Sequence, residues 1–370
     1  MIKLLKEIEE KIQSRKMVLG FDGFVDHIVR PGNNIYGKEK MNIRKMSELA
    51  TFLTNQQNMS CSIELNELQV KIGGNNPIMS HALGEIGIKV DSIGAYGANG
   101  IDPIFNKLSN NCNIHSIADV GRCFAIEFDT NKLMLYTNKA AQVMNYNYLI
   151  EHISSERLLE IYNNADGIAH LNFSEYQSVI DIWEGLLDNI LPRLEKPKIF
   201  FFDLSDCSRV EEKCLKKALK VIKRFEEYGT VYLCLNDNEL LHVFNVALGV
   251  SNLTVKLEKI LRAKHIEPGE LKIMLKLLYD KLGLDTLIIR TLYKFFAYDC
   301  NGFHCVNNIF VEEPKLLTGA GDNQNAGICL GLICGLEIKE SLILGAMLGN
   351  FYIEKGYSPS FKELKNFTEN

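Results

Sequence analysis

The chain has 370 residues, 46% hydrophobic and 24% charged, with 41 basic and 46 acidic side chains and a formal charge of -5. That size and apolar share suit an ample core in one large domain or two ordinary ones, and the interspersed charge excludes the basic stripe a nucleic-acid binder needs. No apolar run approaches the roughly 20 residues of a membrane span, and the opening MIKLLKEIEEKIQSRK is a mixed-charge helix rather than a signal peptide, so a cytoplasmic protein is expected.

In chain order, short apolar strands are predicted at 17–21 (MVLGF), 90–97 (VDSIGAYG), 167–173 (GIAHLNF), 198–204 (KIFFFDL), 230–236 (TVYLCLN) and 286–292 (TLIIRTL), with an edge strand at 307–317 (NNIFVEEPKLL). Helical stretches such as EEKCLKKALKVIKRFEEYG, apolar at every third or fourth position, lie between them. Continuous apolar strands alternating with amphipathic helices predict an α/β fold, a mostly parallel sheet covered on both faces. No linker divides the chain, so residues 1–370 read as a single domain. Two β-rich segments interrupt the rhythm: about 28–72, with the turn RPGNNIYG, one helix and SIELNELQVKIGG, and about 112–140, where RCFAIEFDTNKLMLYTN has a hairpin pattern. They predict a small accessory sheet, either a lid over a pocket or surface decoration. The ten cysteines sit mainly in apolar settings without a Cys-x-x-Cys pair, and read as reduced core thiols. No His-x-x-x-His spacing suggests a metal; His81, His152 and His170 read as ordinary helix or strand-end residues.

The chemistry concentrates in TGAGDNQNAG (318–327), placed before a helix from about Asn323 to Cys334. Helix N-termini carry unpaired N–H groups and partial positive charge. Gly319, Ala320 and Gly321 would let an anion approach that backbone, and Asp322 beside it could take the proton of an attacking hydroxyl. Together these are the minimal apparatus of phosphoryl transfer to an alcohol; a capped helix with no further role would look the same. In IGGNN, Gly73 and Gly74 remove side chains where a polar substrate could touch backbone, and Asn75 offers donor and acceptor to hydroxyls, or caps the next helix. Asn236 and Glu239 lie one turn apart after a strand. Glu239 could hold Mg²⁺ through water, or the pair could be a capping box. Asp26 could accept from vicinal hydroxyls or sit in a turn, and Asp22 competes for that role.

These motifs, taken in their order along the chain, resemble the ribokinase-like (PfkB) carbohydrate kinases over residues 17–360. TGAGDNQNAG is similar to the family's C-terminal signature, and IGGNNPIMSHALGEIG to its Gly-Gly-Asn motif through Gly73, Gly74, Asn75, Leu83 and Gly87. Asn236 and Glu239 match Asn-x-x-Glu, and Asp26 matches the aspartate that binds substrate hydroxyls. The resemblance implies a ribokinase-like fold with a β lid, Asp322 as base, an anion hole at 319–321, and ATP with Mg²⁺ as co-substrate. It also implies a sugar or nucleoside acceptor, Thr291 at the nucleotide, and possible pairing of two copies through the lid.

Departures from the pattern bear on substrate and phosphate donor more than on the chemistry. Leu316-Leu317 replace the family's Asp-Thr, Gln324 replaces an aromatic residue, Ile78 the second asparagine, and Gly345 an asparagine near adenine. The strand RTLYKFFAY keeps Thr291 without the usual glycines, and IIRTLYKFF and GFDGFVD are similar to ADP-dependent sugar kinases, so ADP stays open as donor. A regulatory relative that binds without turnover is the alternative of another class.

Overall fold

The computed structural model describes residues 2–32, 43–129, 131–261, 268–308 and 310–369. Its strands are β1 (Lys16–Phe21), β2 (Phe24–Pro31), β3 (Leu65–Gly73), β4 (Lys89–Gly94), β5 (Cys112–Ser116), β6 (Gly121–Glu127), β7 (Lys132–Thr137), β8 (Gly167–His170), β9 (Lys198–Asp203), β10 (Gly229–Asn236), β11 (Thr286–Arg290), β12 (Lys294–Asp299) and β13 (Gly302–Asn307). The large sheet runs β13-β12-β11-β10-β9-β8-β1-β4-β5, parallel from β5 to β11 and antiparallel at β12 and β13. A second sheet, β3-β2-β6-β7, is separate from it.

The apolar runs form central strands because side chains of alternate residues enter two different cores. In β9, Phe200 and Phe202 join a cluster with Trp183 and Phe225, while Phe201 packs on the opposite face with Cys234 and Ile288. Covering helices follow their period: in Glu212–Arg224, Leu215, Ala218, Leu219 and Ile222 are buried under a lysine-rich outer face. His170 ends β8 inside the aromatic core, stacked on Trp183, where burial pulls its imidazole down to about 3. All ten cysteines are free thiols, with Cys61 and Cys300 exposed.

The structure corrects several boundaries. Residues 112–116 pair with β4 in the large sheet, and Cys112 and Ile114 pack against the cluster of Tyr96 and Phe105, so the lid's second segment starts at β6 rather than at 112. Its first segment starts earlier than 28, at Phe24. The strand expected at 307–317 is not formed: β13 ends at Asn307, and residues 308 and 310–317 carry no strand. The helix placed from Asn323 begins at Ala320, which puts Asp322 in its first turn. Most of the expected RPGNNIYG turn, from Asn33 on, lies outside the described residues.

Candidate active site

The small-residue loop turns into the helix Ala320–Ile333 at Gly319, whose φ of 96° is left-handed. A Cβ there would also lie 2.7 Å from the Tyr352 hydroxyl, which donates to the Thr318 carbonyl at 2.9 Å, so glycine is required twice over. The Ala320 amide donates to Leu317 within the turn (3.1 Å). Among the described residues, no acceptor meets the amides of Gly319, Gly321 and Asp322. Of the expected donors at 319–321, the Gly319 and Gly321 amides are thus free and the Ala320 amide is used, and the Asp322 amide is free beside them.

Asp322 is buried and accepts from the Asn75 side-chain amide at 2.9 Å. Burial, reinforced by the charges of Asp203 and Asp22, lifts its carboxyl well above the usual range, against Arg290 and the Asn75 bond. Two cavities adjoin it, of about 540 Å³ and about 330 Å³. Asn75, Ser205, Asp206 and Asp322 belong to the walls of both.

The larger cavity lies against the small sheet. Register puts Asp26, Cys123 and Tyr136 on one face of adjoining lid strands, and all three line the cavity with Phe24 and Met134. Asp26 is buried, and burial raises its carboxyl despite Lys71, Lys132 and His27. Gly74 and Asn75 are on the wall, joined by Ile78. Gly73 acts differently: a Cβ there would come within 2.3 Å of the Asp26 carboxylate, so its bareness makes room for that side chain.

Asp22, expected beside the substrate, is fully buried behind this wall rather than on it. It accepts from the Asn75 amide (2.9 Å), the Asn76 amide (2.8 Å) and the Asn172 side chain (2.7 Å). These bonds hold the start of the helix Asn75–Ile86 and one cavity-wall residue in fixed relation. Burial still pushes the Asp22 carboxyl up to about 6.

The smaller cavity opens onto the C-terminal ends of β9, β10 and β11, where parallel sheets place ligands. Asn236 and Glu239 line it, and they also form the capping box: Glu239 N–H donates to Asn236 (2.9 Å), and Glu239 accepts from the Asn236 amide (2.9 Å) and side chain (2.6 Å). Burial, then the Asp203 charge, lifts Glu239 well above the carboxylate range. Thr291 lies on neither cavity wall; its hydroxyl donates to the Lys294 carbonyl (2.7 Å) and closes the β11–β12 turn.

Other wall residues were not singled out from sequence. Asp203 ends β9 and receives Arg290 from the end of β11 at 2.9 Å, both buried. Asn172 and Ser205 have left-handed φ values (58° and 57°), rare for residues with a Cβ and frequent at functional loops. Arg209 pairs with Glu175 and donates to the lid's Tyr136 hydroxyl at 2.9 Å, while Lys132 of β7 reaches Thr318 at 2.7 Å. Strand-end aspartate in FFFDLSD and arginine in LIIRTL were the available signals, but neither has a distinctive spacing.

The layered sheet has the ribokinase-like fold of the carbohydrate kinases. The solved carbohydrate kinase from Agrobacterium tumefaciens shares the fold at 14% identity and a TM-score of 0.60, over 95% of this chain and 96% of that one. Ribokinase from Thermotoga maritima does so at 16% and 0.57, over 96% and 99%. The chain belongs to the prokaryotic ketohexokinase family, whose model matches residues 2–370. The ketohexokinase of Haloferax volcanii is 20% identical over 98% of this chain and 93% of that protein. The protein is therefore an enzyme, a phosphotransferase of the sugar and nucleoside kinase class.

Proposed function

We propose that the protein transfers the terminal phosphate of ATP to a hydroxyl of a ketohexose bound under the lid. The observation carrying this reading is Asp322, a raised carboxyl on the wall common to two cavities, adjoining unpaired amides. In the larger cavity, Asp26, Asn75 and Asn172 would orient the acceptor, with Phe24 and Tyr136 against its carbon face. The acceptor oxygen bonds to the terminal phosphorus as its proton passes to Asp322. The bridging P–O bond breaks, and the nucleoside diphosphate leaves with the electron pair. The amides of Gly321 and Asp322 would receive the charge on the moving phosphoryl group. A base whose pKa approaches the working pH abstracts a proton more readily, so the raised Asp322 carboxyl suits this role.

Glu239 and Asp206 offer hard oxygen donors in the smaller cavity, while no group of three or more ligating side chains among the described residues could hold a metal alone. They would hold a magnesium ion by its water shell, and that ion would neutralise phosphate charge. The lid from Phe24 and from β6–β7 would exclude water when closed, and its outer strands could pair with a second copy. No helix among the described residues is long and apolar enough to cross a membrane.

The test is a panel of fructose, other ketoses, ribose and nucleosides with magnesium and either ATP or ADP. Phosphorylated ketose with ATP is expected. Product with ADP alone would reverse the donor, and nucleotide binding without product from any acceptor would favour a regulatory protein.

A further inference from the structure

Arg290 has no part in the reading above, yet it is the cation on the wall of the smaller cavity, among Asp203, Asp206, Glu239 and Asp322. Its guanidinium is fully directed. One terminal nitrogen donates to Asp203 at 2.9 Å, and the other donates to the Gly321 carbonyl (3.1 Å) and to Gln324 (3.0 Å). The inner nitrogen donates to the Cys234 sulfur at 3.1 Å. Asp203 is held in turn by Asn325 (2.7 Å) and the Ser205 amide (3.0 Å).

The Gly321 carbonyl belongs to the same peptide unit as the Asp322 amide, one of those without an acceptor. A cationic donor on the oxygen of a peptide polarises the unit and strengthens its N–H as a donor. It also fixes the plane, and so the direction in which that N–H points. We infer that Arg290 is a positioning residue for phosphoryl transfer: it anchors and polarises the Gly321–Asp322 peptide so that the Asp322 amide faces the phosphoryl group in flight. The inference rests on the phosphotransfer reading of this cavity.

Two further observations support it. A Cβ on residue 321 would lie 2.9 Å from the Arg290 nitrogen, so the glycine is where the guanidinium comes closest. Gln324, one turn further along the same helix, is another of the guanidinium's acceptors. The start of the helix and the end of β11 are therefore joined through one side chain.

The experiment compares wild type, Arg290→Lys and Gly321→Ala. Lysine keeps a charge for Asp203, and the added methyl displaces the guanidinium while leaving the ion pair's groups in place. Binding of magnesium with ADP or AMP is measured by calorimetry with and without aluminium fluoride, a mimic of the transferring group that needs no acceptor. Thermal melts check folding. The expected result is a fluoride-dependent gain in wild type that falls about 10–100-fold in both variants, the range for lost outer-shell support, with nucleotide affinity itself little changed. With an acceptor, kcat falls and the acceptor KM holds, and the acid limb of kcat shifts to higher pH because the charge that lowers Asp322 has moved. Folded variants that keep the full fluoride gain would overturn the role of Arg290 alone. A wild type with no gain for either nucleotide would overturn the phosphotransfer reading, and this inference with it.

Discussion

The two cavities beside Asp322 are built on opposite principles. Under the lid, polar groups are buried with unused capacity: no donor among the described residues reaches the Asp26 carboxylate, and the Ser174 hydroxyl is buried without a partner. Such a wall waits for a neutral molecule rich in hydroxyls, because leaving those groups unpaired costs free energy that a ligand recovers. At the strand ends, side chains are already hydrogen-bonded to one another through Arg290–Asp203–Asn325 and Asn236–Glu239. That side is organised before an anion arrives, as electrostatic catalysis requires.

Asp322→Asn is the sharpest way to break this division. It should lower kcat by about 10²–10⁴-fold, the range for a general base, with acceptor affinity and melting temperature nearly kept. Turnover at the wild-type rate in kinetic assays would remove Asp322 as base. In the wild type, kcat should fall towards acid with a limb above the ordinary carboxylate range, since burial raises the Asp322 carboxyl; a pH profile flat to pH 5 would contradict it.

Asp22→Ala tests whether the acceptor wall is held from behind. Losing three hydrogen bonds to a buried carboxylate should destabilise the fold by about 3 kcal/mol and raise the acceptor KM more than it lowers kcat. The pH dependence has a definite sign. Burial leaves the folded carboxyl at about 6, above its ordinary 3.8, so its contribution is full below roughly pH 4 and declines as pH rises through 6. The gap in melting temperature between wild type and Asp22→Ala should narrow from pH 4 to pH 7.

The smallest effect belongs to the lid. Tyr136→Phe removes one exposed hydrogen bond to Arg209 and should cost at most about 1 kcal/mol, a few-fold in acceptor KM, as for other exposed polar contacts. An unchanged kcat would keep the lid's role separate from that of the strand ends. A large fall in kcat would erase the contrast between the cavities.

Periodicity sufficed for the layered architecture, because strands buried on both faces and helices buried on one impose different apolar spacings on local sequence. The small-residue motifs were legible too, since a tight approach to backbone leaves a trace in adjacent residues: Gly74, Asn75, Gly319 and Asp322 all reach one region. What sequence could not assign was which polar groups face a cavity. Asp22 and Asp26 are four residues apart, yet one is a clamp behind the wall and the other part of it, because the chain turns between β1 and the lid strand. Thr291 matched a motif but closes a turn, whereas its neighbour Arg290 enters the strand-end cavity. Asp203, Arg290 and Gln324 lie 34 or more residues from one another except across the helix and strands that tertiary packing brings together. Local sequence encodes the elements and their caps; a hydrogen-bond network among strand ends exists only once the sheet has set their order.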